Sequence, residues 1–298
     1  MSSDAWMGRF FSAVLFLVCL GNPLLATAGE TKQAASSKKI AIIIDDLGHK
    51  YKAGVDTLNL EIPLSVAILP FTPHATKLAE LAHNKDRDIL LHLPMQPGKA
   101  MSLMTDKTLS IDMMREDFQS LIAEALDEVP HVQGVNNHMG SLFTQLPDQM
   151  HWLMQSLQEM SRERQQELFF IDSFTSQFSI AYQIADANNI ATARRDVFLD
   201  RELEDSHMQA QIKKLKRIAN KQGYAIAIGH PFPETLALLK QHIPQLKKQG
   251  YEFVSISSLL QSDALKTNIK KQLASLQQES QQAANKSAGK SKAIAAQP

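Results

Sequence analysis

Short apolar runs alternate with longer amphipathic stretches along most of this chain, and that alternation constrains the fold more than any other feature. The runs at 40–44 and 224–228 are continuously apolar and rich in isoleucine. Strands buried on both faces of a parallel sheet have this composition, because helices cover both sides of the sheet. Further strand-like runs stand at 64–69, 88–91, 134–135, 168–171, 191–193 and 251–254.

The stretches between these runs carry apolar residues at helical spacings of three and four. Examples are the segments 111–126, 150–160 and 212–219, and the last of these stops before Gly223. Such stripes ordinarily pack against a sheet. Seven or eight strand–helix repeats predict an α/β fold with right-handed crossovers. Their number and total length favour an irregular (β/α) barrel of seven or eight mostly parallel strands over an open doubly wound sheet. Glycine-rich phosphate loops do not follow these strands, which argues against a Rossmann-type nucleotide site.

The first 28 residues have the pattern of a signal peptide. Arg9 precedes an apolar run at 10–20, a Gly-Asn-Pro break follows, and 26–28 read Ala-Thr-Ala, a typical cleavage pattern. The run is shorter than the roughly 20 residues that span a bilayer, so the alternative of an uncleaved membrane anchor is the less favoured one. We therefore expect a mature chain that begins near Gly29, has no stable membrane span, and is periplasmic or secreted.

Composition sets the limits of the folded part. Cys19, the only cysteine, lies inside the leader, so the mature chain can form no intramolecular disulfide. Lysine plus arginine and aspartate plus glutamate both number 31, so no excess of basic charge suggests a nucleic-acid partner. We predict a short linker at 29–37, one domain at 38–261, and a low-complexity tail at 262–298. That tail could form a frayed helix through Leu276 and is predicted to be disordered beyond it.

Polar side chains capable of chemistry follow six of the predicted strands. The carboxyl ends of barrel strands meet at one rim, which is where barrel enzymes place their active sites. One such residue could arise by chance, but reactive side chains at six strand ends are hard to explain as ordinary loop polarity. The candidates are Asp45 and Asp46, His92, the group Asn137, His138 and Ser141, Asp172, the pair Arg195 and Asp196, and His230.

Each candidate also has a plainer interpretation. Asp45 and Asp46 could cap a helix, but two adjacent carboxylates at the end of a buried strand repel each other, and a cation relieves that cost. His92 and His138 could be hydrogen-bonded core histidines. Combined with a carboxylate from a neighbouring strand, they form an Asp/His/His set that suits Zn²⁺ with one open position.

Three further residues keep two interpretations each. Asp172 could cap the following helix or could orient a metal-binding histidine. Arg195 and Asp196 could form an ion pair or could contact a substrate.

At these residues the chain resembles the divergent polysaccharide deacetylases, relatives of the NodB-type carbohydrate esterases. The resemblance covers nearly the whole folded part and is carried by several separate matches in the same order. The matching stretches are IDDLG at 44–48, AILPF at 67–71, LLHLPMQP at 90–97, VNNHMGS at 135–141, FIDS at 170–173, RRDVFLD at 194–200 and AIGHP at 227–231.

The resemblance implies roles for individual residues. Asp45 corresponds to the general base, Asp46 to a metal ligand and His230 to the general acid. The second motif of the NodB-type enzymes has two histidines four residues apart, whereas here Gln96 stands four residues after His92. We therefore predict that His138 supplies the second imidazole, with Asn137, Ser141, Asp172, Arg195 and Asp196 supporting the site or contacting substrate.

The implied function is an exported hydrolase that depends on Zn²⁺ or another divalent ion. It would remove acyl groups, chiefly acetyl, from an envelope polysaccharide such as peptidoglycan or a related glycan. The alternative is a non-catalytic glycan-binding or envelope-assembly protein on the same scaffold, and Gln96 is the feature that favours it. A metal-free hydrolase that uses Ser141 or Ser173 is disfavoured, because neither serine lies in a G-x-S-x-G turn.

Overall fold

The computed structural model describes residues 38–263, 265–272, 274–276 and 278. The predicted signal peptide at 1–28, the predicted linker at 29–37 and nearly all of the predicted disordered stretch from 277 onward lie outside these residues.

Nine strands and eight α-helices alternate along residues 38–260. The strands are β1 (Lys38–Leu47), β2 (Ser65–Ile68), β3 (Asp88–Met95), β4 (Gly134–Met139), β5 (Phe169–Asp172), β6 (Thr192–Arg194), β7 (Val197–Phe198), β8 (Tyr224–Gly229) and β9 (Tyr251–Val254). The helices are α1 (Tyr51–Leu58), α2 (Ala75–His83), α3 (Arg115–Glu128), α4 (Pro147–Arg164), α5 (Ala181–Ala187), α6 (Asp205–Gln222), α7 (Pro233–Lys248) and α8 (Ile256–Leu260).

All nine strands pair in parallel. The order along the sheet is β6-β5-β4-β3-β2-β1-β8-β7, and β9 pairs with β1 as a branch. The ten-residue β1 accommodates this branch because β9 pairs with its first half, at 38–41, and β2 pairs with its second half, at 43–47. The predicted α/β barrel is confirmed. The strand that the sequence did not indicate is β7, whose two residues are too few to produce a periodic signal.

A two-residue connection closes the sheet into a barrel. Strands β6 and β7 lie at opposite ends of the strand order, yet Arg194 and Val197 are only three residues apart in the chain. Three peptide units reach at most about 11 Å, so the sheet must curl until its two edges are neighbours. The backbone N–H of Arg195 donates to Asp172 on β5, the neighbour of β6, at 3.0 Å, and the N–H of Asp196 donates to Ile226 on β8, the neighbour of β7, at 2.9 Å.

Side-chain alternation along the strands separates two cores. On β1, Ile40, Ile42 and Ile44 face the outer helices, whereas Ala41 and Ile43 belong to a second cluster inside the barrel. The interior cluster also receives residues from other strands and from the closing helix, among them Leu90, Ile171, Ile226, Ile228 and Leu259. The next inward-facing position beyond this cluster on several strands is polar, which places a polar layer at the carboxyl end of the barrel.

The opposite end of the barrel is closed by α8 and by residues that follow it. Leu259 and Leu260 are buried in the interior cluster, and so is Leu265, while Ile269 packs against it. The packed structure therefore continues past the predicted domain end at 261. Within the described part of the chain, no helix is long and apolar enough to cross a membrane.

Candidate active site

The inward-facing side chains at the carboxyl ends of four strands form the candidate site. Asp45 continues the inward positions of Ala41 and Ile43, and His92 continues that of Leu90. His138 lies two residues after Asn136 on β4, so both share one face of that strand. His230 follows Ile226 and Ile228 at the same two-residue spacing, immediately after β8.

Asp46 reaches the same space through an irregularity at the end of β1. A regular strand would send Asp46 to the face opposite Asp45. Instead, Asp46 has a left-handed φ of 58°, and the register with β2 shifts between Ile44 and Leu47. Gly48 completes the turn with φ of +128°, where an added Cβ would lie 2.1 Å from the hydroxyl oxygen of Thr72. The bulge therefore turns both carboxylates toward the barrel axis.

Three potential ligand atoms converge above the interior core. Oδ1 of Asp46 lies 3.1 Å from Nε2 of His92 and 3.0 Å from Nδ1 of His138. The two imidazole nitrogens are 3.2 Å apart. A tetrahedral zinc ion at about 2.0–2.1 Å from each ligand requires ligand separations of roughly 3.3 Å, so the triangle has the required size.

The chemistry of these atoms also fits a cation. Oδ1 of Asp46 is buried and has no partner in hydrogen-bonding geometry, although two imidazole nitrogens lie next to it. Burial by itself would raise the pKa of Asp46, but the adjacent imidazoles of His138 and His92 outweigh burial and hold the pKa well below its usual range. A carboxylate that stays ionised beside two imidazole nitrogens can hold a divalent ion, so Asp46, His92 and His138 are the candidate ligands.

Asn136 orients His92 for that role. Its Oδ1 lies 2.8 Å from Nδ1 of His92, and its Nδ2 donates to Oδ1 of Asp45 at 2.8 Å. An amide can accept from an imidazole and donate to a carboxylate at the same time. The proton on Nδ1 of His92 is thereby held by Asn136, and Nε2 is directed at the ligand triangle.

Zinc affinity is expected to rise steeply with pH. Burial lowers the pKa of His92, but Asp45 and Asp46 outweigh it and raise the pKa to about 9. Below that pH an entering ion must displace a proton from Nε2 of His92. The neutral fraction of this imidazole rises from about 1% at pH 7 to about half at pH 9, so zinc affinity should increase by about 50-fold over that range. Competition titrations against a zinc chelator at pH 7, 8 and 9 measure this. A pH-independent affinity, after correction for the chelator's own protonation, would contradict the assignment of His92.

Asp45 lies beside the ligand triangle rather than in it. Its Oδ2 is 3.7 Å from Nε2 of His92, and the residue is only 3% exposed. Burial is the main cause that raises the pKa of Asp45, and it outweighs the opposing charges of His92 and His230. A carboxyl group with a raised pKa and a position next to the ligands is suited to accepting a proton.

His230 approaches the triangle from the other side of the barrel. Its Nε2 lies 3.8 Å from Oδ2 of Asp46. Asp200 fixes the ring, because its Oδ1 lies 2.9 Å from Nδ1 of His230 and its Oδ2 accepts the backbone N–H of the same residue at 2.6 Å. Thr235 donates to the same carboxylate. Burial lowers the pKa of His230, but Asp200 outweighs it and the pKa is raised, which favours a proton-donating imidazolium.

Three of the predicted supporting residues organise the loops around the site. Asn137 faces away from His138 and accepts the backbone N–H of Ser173 at 2.8 Å. Ser141 accepts the N–H of Gly98 at 2.9 Å. Asp172 is buried and accepts from the N–H of Phe174 and the hydroxyl of Ser179. These contacts hold the turn after β5, and Asp172 does not cap α5, because that helix begins at Ala181 after Ile180 and has no side-chain cap.

Arg195 and Asp196 likewise make contacts with the scaffold. The guanidinium of Arg195 donates to the carbonyl oxygens of Ser173 and Phe174, at 2.6 and 2.8 Å. Asp196 accepts the N–H of Ile226 at 2.9 Å. Together with their backbone bonds, these contacts hold the two edges of the barrel together.

Gln96 takes no part in the ligand triangle. Its Oε1 accepts from the hydroxyl of Ser110 and the N–H of Ile111, at 3.1 and 2.9 Å, and so anchors the long loop between β3 and α3. The second imidazole at the triangle is that of His138, from β4.

Comparison with known proteins agrees with this architecture. A family model described as divergent polysaccharide deacetylase matches residues 42–260. The chain belongs to the divergent polysaccharide deacetylase family. It is 33% identical over 252 residues to the uncharacterized protein YibQ of Escherichia coli K12, covering 85% of this chain and 73% of that protein. It is 35% identical over 240 residues to an uncharacterized protein of Haemophilus influenzae, covering 80% of this chain and 83% of that protein.

A solved structure shares the fold of this chain. The crystal structure of an uncharacterized protein from Agrobacterium tumefaciens C58 matches with a TM-score of 0.69 and 21% identity, over 76% of this chain and 90% of that one. At that identity the likeness shows the fold alone.

Sequence reasoning missed two residues that contact the predicted site directly. Asn136 was overlooked in favour of Asn137, although the two-residue spacing to His138 indicates which asparagine shares its face. Asp200 stands inside one of the family-like stretches, but its pairing with His230 depends on the adjacency of β7 and β8. The two-residue length of β7 leaves no sequence signal for that adjacency.

Proposed function

We propose that the protein is an exported, metal-dependent hydrolase that removes acyl groups, chiefly acetyl, from an envelope glycan such as peptidoglycan. The observation that carries this proposal is the convergence of Asp46, His92 and His138 to separations of 3.0–3.2 Å in a member of a deacetylase family. Asp45 and His230 flank that triangle at 3.7 and 3.8 Å. Hydrolysis requires a base and an acid on two sides of the scissile bond, and Asp45 and His230 have this arrangement around the triangle.

Asp46, His92 and His138 would hold the ion, Zn²⁺ or another divalent metal. When bound, such an ion supplies Lewis acidity, which makes water a nucleophile near neutral pH and polarises an acyl carbonyl. Asp45 accepts the proton of the attacking water. His230, kept protonated at Nε2 by the Asp200 contact at Nδ1, donates a proton to the departing amine or alcohol. Asn136 keeps Asp45 and His92 at fixed positions throughout.

The decisive experiment combines metal loading with a substrate panel. Protein stripped with a chelator is reloaded with zinc, and acetate release is measured on N-acetylated and O-acetylated glycans. We expect one ion per chain and activity that returns with the ion. His138→Ala should lose metal and activity, because removal of one of three ligands breaks the site.

His83→Ala is the matched control, because His83 is a helix residue stacked on His131, outside the triangle, and its loss should change neither quantity. An unchanged zinc stoichiometry and affinity in His138→Ala would rule out the ligand assignment.

A non-catalytic glycan-binding or envelope-assembly role is the second candidate, and it is favoured by Gln96, which stands where the NodB-type enzymes have the second histidine of their motif. The two functions differ in one measurement. A protein that binds glycans but neither retains zinc nor releases acetate from any panel member is a binding protein.

Export is part of the proposal. We propose cleavage after Ala28 and a periplasmic or secreted mature chain that begins at or near Gly29. Mass spectrometry of the protein isolated from the cell envelope tests this, and an intact 1–28 segment in the mature protein would contradict it.

A further inference from the structure

Exposed apolar side chains are concentrated at the end of the barrel that carries the site. Among the residues that the structure describes, seven large apolar side chains are well exposed, and six lie on loops that follow strands at their carboxyl ends. The six, here called the apolar rim, are Met101, Leu103, Met114, Phe178, Leu203 and Phe232. The seventh, Leu276, lies in the C-terminal helical stretch. Scattered surface residues would not segregate in this way.

The apolar rim borders the candidate site directly. The ring of Phe232 lies 5.6 Å from that of His230, centroid to centroid. Across the barrel, hydrogen bonds join the loops that carry Leu103 and Phe178 into one wall. Gly98 donates to Ser141, and Gln145 donates to Ser176. The ligand triangle and the exposed apolar side chains therefore share the carboxyl end of the barrel, and Phe232 lies beside His230.

The charges on the same loops argue against simple attraction to an anionic lipid surface. The loops that carry Met101, Leu103 and Leu203 also carry both charge signs. Their basic residues are Lys99, Lys107 and Arg201, and their acidic residues are Asp106, Asp112, Glu202 and Glu204. Surfaces that bind anionic lipid headgroups have clustered basic residues instead. The apolar surface and the polar site beneath it match a ligand that has one polar and one apolar part.

We propose that the apolar rim binds an alkyl chain carried by the glycan substrate, so that the substrate class is an amphiphilic sugar rather than a bare polysaccharide. This inference rests on the proposed function, because it places the sugar's acyl group at the Asp46, His92 and His138 triangle. The alkyl chain lies against residues such as Leu103, Phe178 and Phe232. It is either the acyl group itself or a chain attached at the other end of the sugar.

Equilibrium binding to the zinc-loaded protein tests this without requiring turnover. The probes are methyl N-acetylglucosaminide, dodecyl N-acetylglucosaminide and methyl N-dodecanoylglucosaminide, each below its micelle concentration. A fully buried methylene strengthens binding about fourfold, so two to four buried methylenes make a dodecyl probe about 15- to 250-fold tighter than the methyl probe. Whichever dodecyl probe binds more tightly identifies the end of the sugar that carries the chain.

The alkyl preference is the Kd of the methyl probe divided by the Kd of the tighter dodecyl probe. The double variant Leu103→Ser/Phe178→Ser should bring this ratio close to one and leave binding of the methyl probe unchanged. The matched control is Leu276→Ser, which removes an exposed leucine away from the apolar rim and should keep the preference. Thermal unfolding verifies that the variants are folded.

Three results would overturn the inference. The wild-type protein could show no alkyl preference, the double variant could retain it, or dodecylphosphocholine, which has no sugar, could bind as tightly as the dodecyl glycosides. The last result would identify a lipid-docking surface. An alkyl preference without acyl release from any probe would refute the proposed hydrolysis and leave the binding inference standing, so the two failures are distinguishable.

Discussion

Asp45→Asn is expected to retain zinc and to lose turnover by about 10²–10⁴-fold, whereas Asp46→Asn is expected to lose both. The difference follows from position, because Asp46 contributes Oδ1 to the ligand triangle while Asp45 lies beside it. Loss of a base that acts only in the chemical step lowers kcat with little change in substrate binding. Metal content and acetate release, measured on each purified variant with a glycan that the parent hydrolyses, give the result.

Asp56→Asn provides the control for these two variants. Asp56 is a partly exposed carboxylate on α1 that pairs with Lys52, and its replacement should change neither metal content nor rate. Wild-type turnover in Asp45→Asn would show that the proposed base is wrong. Retention of zinc at wild-type affinity in Asp46→Asn would instead show that the ligand set is wrong.

Asn136→Leu should weaken zinc binding by about 10- to 100-fold. It should also lower turnover by more than the decrease in the fraction of zinc-loaded protein accounts for. Leucine has nearly the same size as asparagine but can neither accept from His92 nor donate to Asp45. Partners that orient metal-binding histidines typically contribute this much to affinity. The buried groups left unpaired should also lower the free energy of unfolding by about 1–3 kcal/mol.

A second substitution at the same position separates the two hydrogen bonds. Asn136→Asp keeps an acceptor for His92 but loses the donor to Asp45, so its zinc affinity should exceed that of Asn136→Leu while its turnover stays low. Asn188→Leu is the control, because Asn188 is partly buried and, like the fully buried Asn136, hydrogen-bonded through its side chain, here to His151 and Ile184 outside the site. Equal zinc affinity in wild type and Asn136→Leu, at full metal loading, would contradict the orienting role of Asn136.

Most of the barrel could be predicted from the sequence because each strand is a local pattern. The isoleucine-rich runs of β1 and β8 and the stripes of α3, α4 and α6 depend only on burial and on the periods of strands and helices. The direction of the strands then predicts that polar residues after them share one end of the barrel. Asp45, His92, His138 and His230 were found in this way. The roles of Asp45 and His230 came from the family resemblance, whereas the ligand role of His138 came from the Asp/His/His pattern and from Gln96 in place of a second motif histidine.

The contacts within the site could not be predicted, because they depend on irregular backbone and on pairs of distant strands. The left-handed φ of Asp46 reverses the direction that strand alternation assigns to its side chain. The pairing of Asp200 with His230 requires β7 to lie next to β8, and the sequence separation of 30 residues contains no sign of that adjacency.

The same division applies to Arg195 and Asp196, which were predicted to support the site or to contact substrate because they follow a strand. The sequence by itself determined which segments are strands, which face of each is buried, and that chemistry-bearing side chains stand at the carboxyl ends, since these properties arise from local periodicity. Only the tertiary structure decided that these two residues hold the barrel edges together and that Asp46 meets His92 and His138. Both outcomes depend on how far the sheet curls, and that curvature is a property of all the strands packed together.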